Sequence, residues 1–269
     1  MKRNRIFPNF YLGLIFVLMY LPIVIIIIYS FNTSKISSVW GGISLSWYQK
    51  LFQNKDLFDA LKNSIILGLS SSICASIIGT LGAFGMTKVK LRSAGFVSYI
   101  ATLPIMIPEI ILGLVFMVFF SLIHLPFGMT ALIIAHTTFC IPYVFMLVRA
   151  RLAGMDKSLS EAARDLGAGP FRSFFDITLP LIAPAIVSGM LLAFAMSMDD
   201  VIISIFVTGV HTNTLPIKIY TQLKTGVTPE INALCTLMFA ASILLCGLSM
   251  FIGRKGQIQG EPKKQIDPK

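Results

Sequence analysis

The 269 residues are 55% hydrophobic and only 13% charged, with a mean hydropathy of +0.81; this does not suit a water-soluble domain and suits a chain whose solvent is mostly lipid. The formal charge of +10 suits nucleic acid or a membrane interface, and its placement along the chain decides between them. Long apolar runs without period-2 alternation argue against a β-barrel, so the expected fold is all-α and membrane-embedded.

Six runs reach the roughly 20 residues that a helix needs to cross hydrocarbon. The first, Phe10 to Ser30, follows Lys2, Arg3 and Arg5. It exceeds the apolar core of about 7–15 residues of a signal peptide, and no Ala-x-Ala site follows, so it is read as a retained helix. The segment from Phe31 to Asn63 carries Trp40, Trp47, Tyr48, Phe52 and Phe58, and its stretch 45–52 is expected to lie along the outer interface, where amphipathic rings settle. In the second span, Ser64 to Met86, Gly68, Ser72 and Ser76 recur at every fourth position, as do Gly79 and Ala83. That spacing lets helix backbones approach closely in a bilayer.

The third span, Phe96 to Phe120, contains Pro104 and Pro108 followed by Glu109, which predicts a kinked helix beside a water-filled space. The fourth runs from Met129 to Val148. His136 stands in it near Cys140 without a companion at ligand spacing, which favours a hydrogen-bonding helix residue over a metal ligand. Cys74, Cys140, Cys235 and Cys246 lie in predicted spans without Cys-x-x-Cys spacing, so they read as small apolar residues.

Between the fourth and fifth spans, residues 149–180 form a polar loop. Ser158 with Glu161 makes a capping box that starts a short helix near Leu159. Gly167 can take a positive φ and end it. Pro170 suits the first turn of a second short helix, which Pro180 is expected to stop. Two short helices around a glycine bend make a rigid knob that can pass a push to the spans above.

The fifth span, Ile182 to Phe206, carries Asp199 and Asp200. Asp199 lies about 22 Å up the helix from Pro184, so both acids belong to its far half. Adjacent helical residues point about 100° apart, which lets one acid line a cavity while the other meets a neighbouring helix. An ionised Asp at a helix centre costs roughly 2.5–3.5 kcal/mol on insertion scales, so Glu109, Asp199 and Asp200 need a reason to be there. A polycationic substrate would neutralise them; a hydrated outer mouth, or pairing with Lys218 or Lys224, would also account for them. Before the sixth span, Ile231 to Ile252, Thr228, Pro229 and Glu230 read as an N-cap, a first-turn proline and a dipole-favoured acid. Residues 256–269 are polar with two prolines and read as a tail distinct from the membrane domain of residues 1–255.

With the N-terminus in the cytoplasm and sides alternating, sixteen of the 22 Lys and Arg fall on the inner side. The basic charge therefore reports topology, with both termini and the 149–180 loop inside, and nucleic acid is not implied.

The loop reads Glu161-Ala162-Ala163, three residues, Gly167, nine residues, Ile177, one residue, Leu179-Pro180. It resembles the EAA loop by which membrane subunits of bacterial ABC importers dock on their ATPase. The runs 197–201, 206–209, 215–220 (which ends at Tyr220) and 226–234 are similar to the second, C-type, permease of spermidine/putrescine importers. The resemblance implies a six-helix permease of the type I importer (MetI-like) fold in the bacterial inner membrane. It also implies a second permease subunit, two ATPase copies that bind ATP and magnesium, and an extracytoplasmic polyamine-binding protein. Under it, Glu161, Ala162, Ala163, Gly167, Ile177, Leu179 and Pro180 couple to the ATPase. Asp199, Asp200, Glu109, Glu230 and Tyr220 line the substrate path. No Walker glycine loop occurs, so ATP chemistry and any cofactor belong to a partner. The same architecture could carry ferric iron or another small solute, although an anion would be poorly served by acids. A membrane-embedded enzyme is the alternative from another class, and His136 without a clear partner gives it little support.

Overall fold

The structure is a computed structural model that describes residues 6–35, 39–88, 94–156, 158–165, 167–210, 212–225, 229–240 and 243–244. Thr228, the second half of the sixth predicted span apart from residues 243–244, and the 256–269 tail lie outside these residues. Every element of regular length among them is helical. Among the described residues four helices are long and apolar enough to cross a membrane, and one bent pair makes up to five. The chain divides into two units, residues 1–55 with 222–269, and residues 56–221.

The first unit begins with α1 (Ile6–Ser30). None of its most apolar 18-residue window is buried by the chain itself, so its apolar faces are offered to the surroundings. The following segment folds around Asn32. Its Nδ2 donates to the Val39 carbonyl at 2.7 Å, and its Oδ1 accepts from the Gly41 N–H at 2.8 Å. The indole of Trp47, on α2 (Ser46–Gln53), donates to the Asn32 carbonyl at 2.6 Å. Trp47 is therefore buried, with the Lys50 ammonium over its ring. This corrects the expectation that it anchors at the interface: a buried indole needs an acceptor, and the turn at Asn32 supplies one. Trp40 and Phe52 stay exposed and keep the anchoring role open. Residues 229–240 form a further helix.

In the second unit α6 (Met129–Ala153) is the central helix, with 61% of its spanning window buried. It packs between α3 (Lys55–Lys88) and α9 (Leu179–Asp199). Val144 of α6 is held between Gly79 of α3 and Gly189 of α9, where an added Cβ would lie 3.0 and 3.1 Å from its atoms. Ser72, Ser76 and Ala83 are buried on the same side of α3, so the small-residue spacing does mark a packing face.

Two predicted spans are broken. The third consists of α4 (Ala94–Met106) and α5 (Glu109–Leu122), bent by 104° at Ile107 and Pro108, a far sharper turn than a proline kink. Pro108 has no N–H for the ladder and its ψ of 134° is extended. The fifth ends as α9 at Asp199 and restarts as α10 (Ile202–Val207). Asp199 and Asp200 are thus not consecutive helical residues as expected. The Asp200 carboxylate takes the N–H groups of Ile203 and Ser204 at 3.1 and 2.8 Å, and a side-chain acceptor that competes this way starts a new helix. The two segments beyond the breaks, α5 and α10, pack on each other, with Gly113 so close to the Phe206 ring that a Cβ would lie 2.4 Å from it.

Candidate functional site

The loop carrying the Glu-Ala-Ala sequence is built as a short helix and a helix extension. The first is α7 (Ser158–Asp165). At its N-terminus Asp156 Oδ1 accepts the Ser158 N–H at 2.9 Å, while the Glu161 side chain of the expected capping box lies outside the described ones. That N–H, and then the Ser158 hydroxyl, hold the Asp156 carboxyl below its usual range. At the other end Gly167 has a φ of +82°, and the Ala168 N–H donates to the Ala163 carbonyl at 2.9 Å. This is the six-to-one bond of a Schellman ending, as the glycine suggested. Ala163 is buried and Ala162 exposed; the Glu161 side chain lies outside the described ones.

Pro180 does not stop the second helix. The α8 turn (Pro170–Ser173) runs through a π-helical turn (Phe174–Thr178) directly into α9. The Leu179 N–H bonds to the Phe174 carbonyl, five residues back, and this wider register precedes Pro180 in the first turn of α9, where its missing N–H costs nothing. Residues Pro170–Asp199 therefore form one 30-residue rod. Ile177 is half-buried in the π turn, Leu179 half-buried and Pro180 exposed. Beside them Phe171 and Phe175 are 80% and 58% exposed. With Leu81 and Phe84 of α3 they border an apolar cleft of about 510 Å³. The motif spacing did not point to these rings, because their exposure is set by how the loop folds.

The far end of the rod carries the acids. Glu109 is exposed in the first turn of α5, and Asp199 is exposed as the last residue of α9. Asp200, one residue on, is only 8% exposed. Glu109 lies close enough to Asp200 and Asp199 to feel both charges. The two helix breaks thus place acids from different spans within electrostatic reach of one another. Asp199 makes no hydrogen bond or ion pair among the described residues. Lys218 does not neutralise this group; it faces Asp56 at 3.6 Å. Tyr220 is exposed on α11 (Leu215–Thr225). Glu230, in the other unit, accepts a hydrogen bond from Asn54 Nδ2 at 2.8 Å.

His136 is the residue the sequence undervalued. It is fully buried, with Nδ1 2.7 Å from Ser197 Oγ, and Nε2 3.0 Å from Ser204 Oγ and 3.3 Å from Asp200 Oδ2. Its partners come from α9, α10 and the break between them, so no spacing within α6 could reveal them. The set is not catalytic in shape. Ser204 donates to the same Asp200 oxygen that faces His136, and all four residues are buried. Among the described residues no three His, Cys, Asp or Glu side chains form a metal site.

The family model for the binding-protein-dependent transport system inner membrane component matches residues 72–256. The spermidine/putrescine transport system permease protein PotC of Haemophilus influenzae is 38% identical over 247 residues, 92% of this chain and 96% of that protein. The putrescine transport system permease protein PotI of Escherichia coli is 40% identical over 233 residues, 84% of this chain and 83% of that one. Among solved structures, a chain of a bacterial ABC transporter involved in the import of the acidic polysaccharide alginate superposes with a TM-score of 0.72. It is 16% identical, covers 94% of this chain and 98% of its own, and speaks to the fold alone.

Proposed function

The chain belongs to the family of binding-protein-dependent transport system inner membrane components, and from that premise we propose that it is the permease subunit of an ATP-driven importer of the polyamines spermidine and putrescine. It is a transport subunit and performs no chemistry of its own. The substrate class rests on one observation above all: Glu109, Asp199 and Asp200 stand at two helix breaks within electrostatic reach of one another, and Asp199 is left without a partner among the described residues. An unpaired carboxylate beside a second acid attracts a flexible polyamine and repels anions. The relatives that carry spermidine or putrescine in their names support the same substrate.

The test is uptake. Cells lacking their own polyamine importers, expressing this chain with its partner subunits, are expected to accumulate radiolabelled spermidine or putrescine. Absence of both from cells whose membranes contain every subunit overturns the substrate reading.

In this reading a second permease completes the pathway, and an extracytoplasmic binding protein delivers the polyamine. Two copies of an ATPase bind ATP and magnesium. Residues 149–180 of the 1–255 membrane domain face those ATPases through Glu161, Ala162, Ala163, Gly167, Ile177, Leu179 and Pro180. The rod supports this assignment physically. Closure of the ATPases pushes on α7 and α8, and an unbroken helix carries the displacement about 45 Å, at 1.5 Å per residue, to Asp199. Glu109, Asp199 and Tyr220 are exposed enough to meet the substrate, while Asp200 and Glu230 serve it indirectly through the contacts described above.

The orientation has its own test. In a cysteine-free chain, Phe175→Cys is expected to resist an impermeant maleimide in intact spheroplasts, whereas Val210→Cys, at a position 88% exposed, reacts. The reverse pattern would place the loop, and both termini with it, on the wrong side for an ATPase.

A further inference from the structure

We infer that His136 is a positioning residue for transport, clasping the two sides of the α9–α10 break so that Asp199 is held outward to the substrate. The inference rests on the proposed polyamine pathway and adds to it a residue with no access to the substrate itself.

The hydrogen count defines the clasp. Asp200 can only accept while ionised, so Ser204 Oγ, 2.8 Å from Asp200 Oδ2, must be the donor there. Nε2 of His136 faces that same hydroxyl oxygen and that same carboxylate oxygen. Two acceptors on one side place the ring hydrogen on Nε2, which leaves Nδ1 to accept from the Ser197 hydroxyl. One imidazole therefore joins the end of α9, through Ser197, to the start of α10, through Ser204 and its cap Asp200. Ser197 is in turn 3.2 Å from Ser71 Oγ on α3. The break thus has fixed anchors on α3 and α6.

The geometry at the break needs such an anchor. Asp200 leaves the helix with φ −67° and ψ 122°, so the direction of Asp199 depends on how α9 ends relative to α10. With Asp200 drawn inward to His136 and Ser204, its neighbour Asp199 faces out, free of partners among the described residues. Without the imidazole, nothing else among the described hydrogen bonds ties Ser197 to Ser204, and the buried Asp200 charge loses one of its donors.

Side-chain length separates the two halves of the clasp. Gln at position 136 can reach where Nε2 lies and keeps the link to Asp200 and Ser204. Asn reaches where Nδ1 lies and keeps only the link to Ser197. Leu keeps neither.

The experiment is a double-mutant cycle in the assembled importer, scored by polyamine uptake and by co-purification of all subunits. His136→Gln, which keeps only the Asp200–Ser204 half of the clasp, is expected to assemble fully and lose about three- to fivefold in uptake, and His136→Leu to lose tenfold or more. Combined with Asp199→Asn, His136→Leu should cost less than twofold beyond Asp199→Asn alone, because the ring acts through that carboxylate. Losses that multiply overturn the inference, since a merely structural histidine damages transport whatever stands at position 199. If His136→Leu does not assemble, the same cycle with His136→Asn decides, and failure of Gln, Asn and Leu alike to assemble also overturns it. Failure of the function reading looks different: the unmutated chain then takes up no polyamine at all. If polyamine is carried but Asp199→Asn has no effect, the acid's role and the clasp both fall.

Discussion

Replacing Asp199 by Asn is expected to lower polyamine uptake by one to two decades while the importer assembles at its normal level. The substitution keeps size and polarity and removes one charge. A charge-assisted hydrogen bond contributes roughly 1.5–3 kcal/mol, and about 1.4 kcal/mol corresponds to tenfold. Assembly is spared because the carboxylate is exposed and makes no hydrogen bond among the described residues. Ser188→Ala serves as the neutral control, since its hydroxyl bonds only within α9, to the Pro184 carbonyl. Asp200→Asn behaves differently. Both of its oxygens accept from buried donors, so an amide nitrogen in either place meets an N–H or O–H. That leaves a buried group unsatisfied, at a cost of about 1–3 kcal/mol, and the yield of assembled complex falls. Radiolabelled uptake beside immunoblots of every subunit separates the cases. Unchanged uptake for Asp199→Asn at normal subunit levels would remove Asp199 from the pathway.

Gly167→Val is expected to release the ATPase subunit about tenfold more readily in a detergent pull-down, with a matching loss of transport and normal membrane insertion. A Cβ at this position meets nothing within 4 Å, so the cost comes from the backbone alone. At φ +82° a side chain costs roughly 1–2 kcal/mol, which is about a decade in the population of the bend, and β-branching makes the region still less accessible. Loss of that geometry opens the Ala168–Ala163 bond and turns α7 away from the rod. Gly167→Asn should retain most of the binding, because Asn tolerates the left-handed region. Equal binding and transport by the glycine, Asn and Val chains would show that the bend is not what the ATPase reads.

The sequence by itself determined the features that depend on solvent and on local backbone chemistry. Hydrocarbon demands long apolar helices, so composition sufficed for the membrane class. Four spanning helices and one bent pair were legible as runs, and the small-residue face of α3 as a four-residue spacing. A glycine ending a helix is a local matter, so the turn at Gly167 could be read without neighbours. Local rules also marked their own limits. Pro180 was read as a stop because proline lacks an N–H, yet a π turn ahead of it shifts the ladder and the helix continues. Asp199 and Asp200 were read as helical neighbours because both lie in one apolar run, yet Asp200 caps a new helix.

Only the tertiary structure decided which acid faces outward, since that depends on what lies opposite the break. His136 is 61 residues from Ser197 and 64 from Asp200 along the chain, and Trp47 is 15 from its acceptor Asn32. Spacing rules describe residues on one element, whereas these partners meet only after separate helices pack. A buried polar group must find its donor or acceptor wherever the fold brings one. The chemistry of the carboxylates was therefore legible in the sequence, and their division into an inward cap and an outward charge was set by the packing of α6 against α9 and α10.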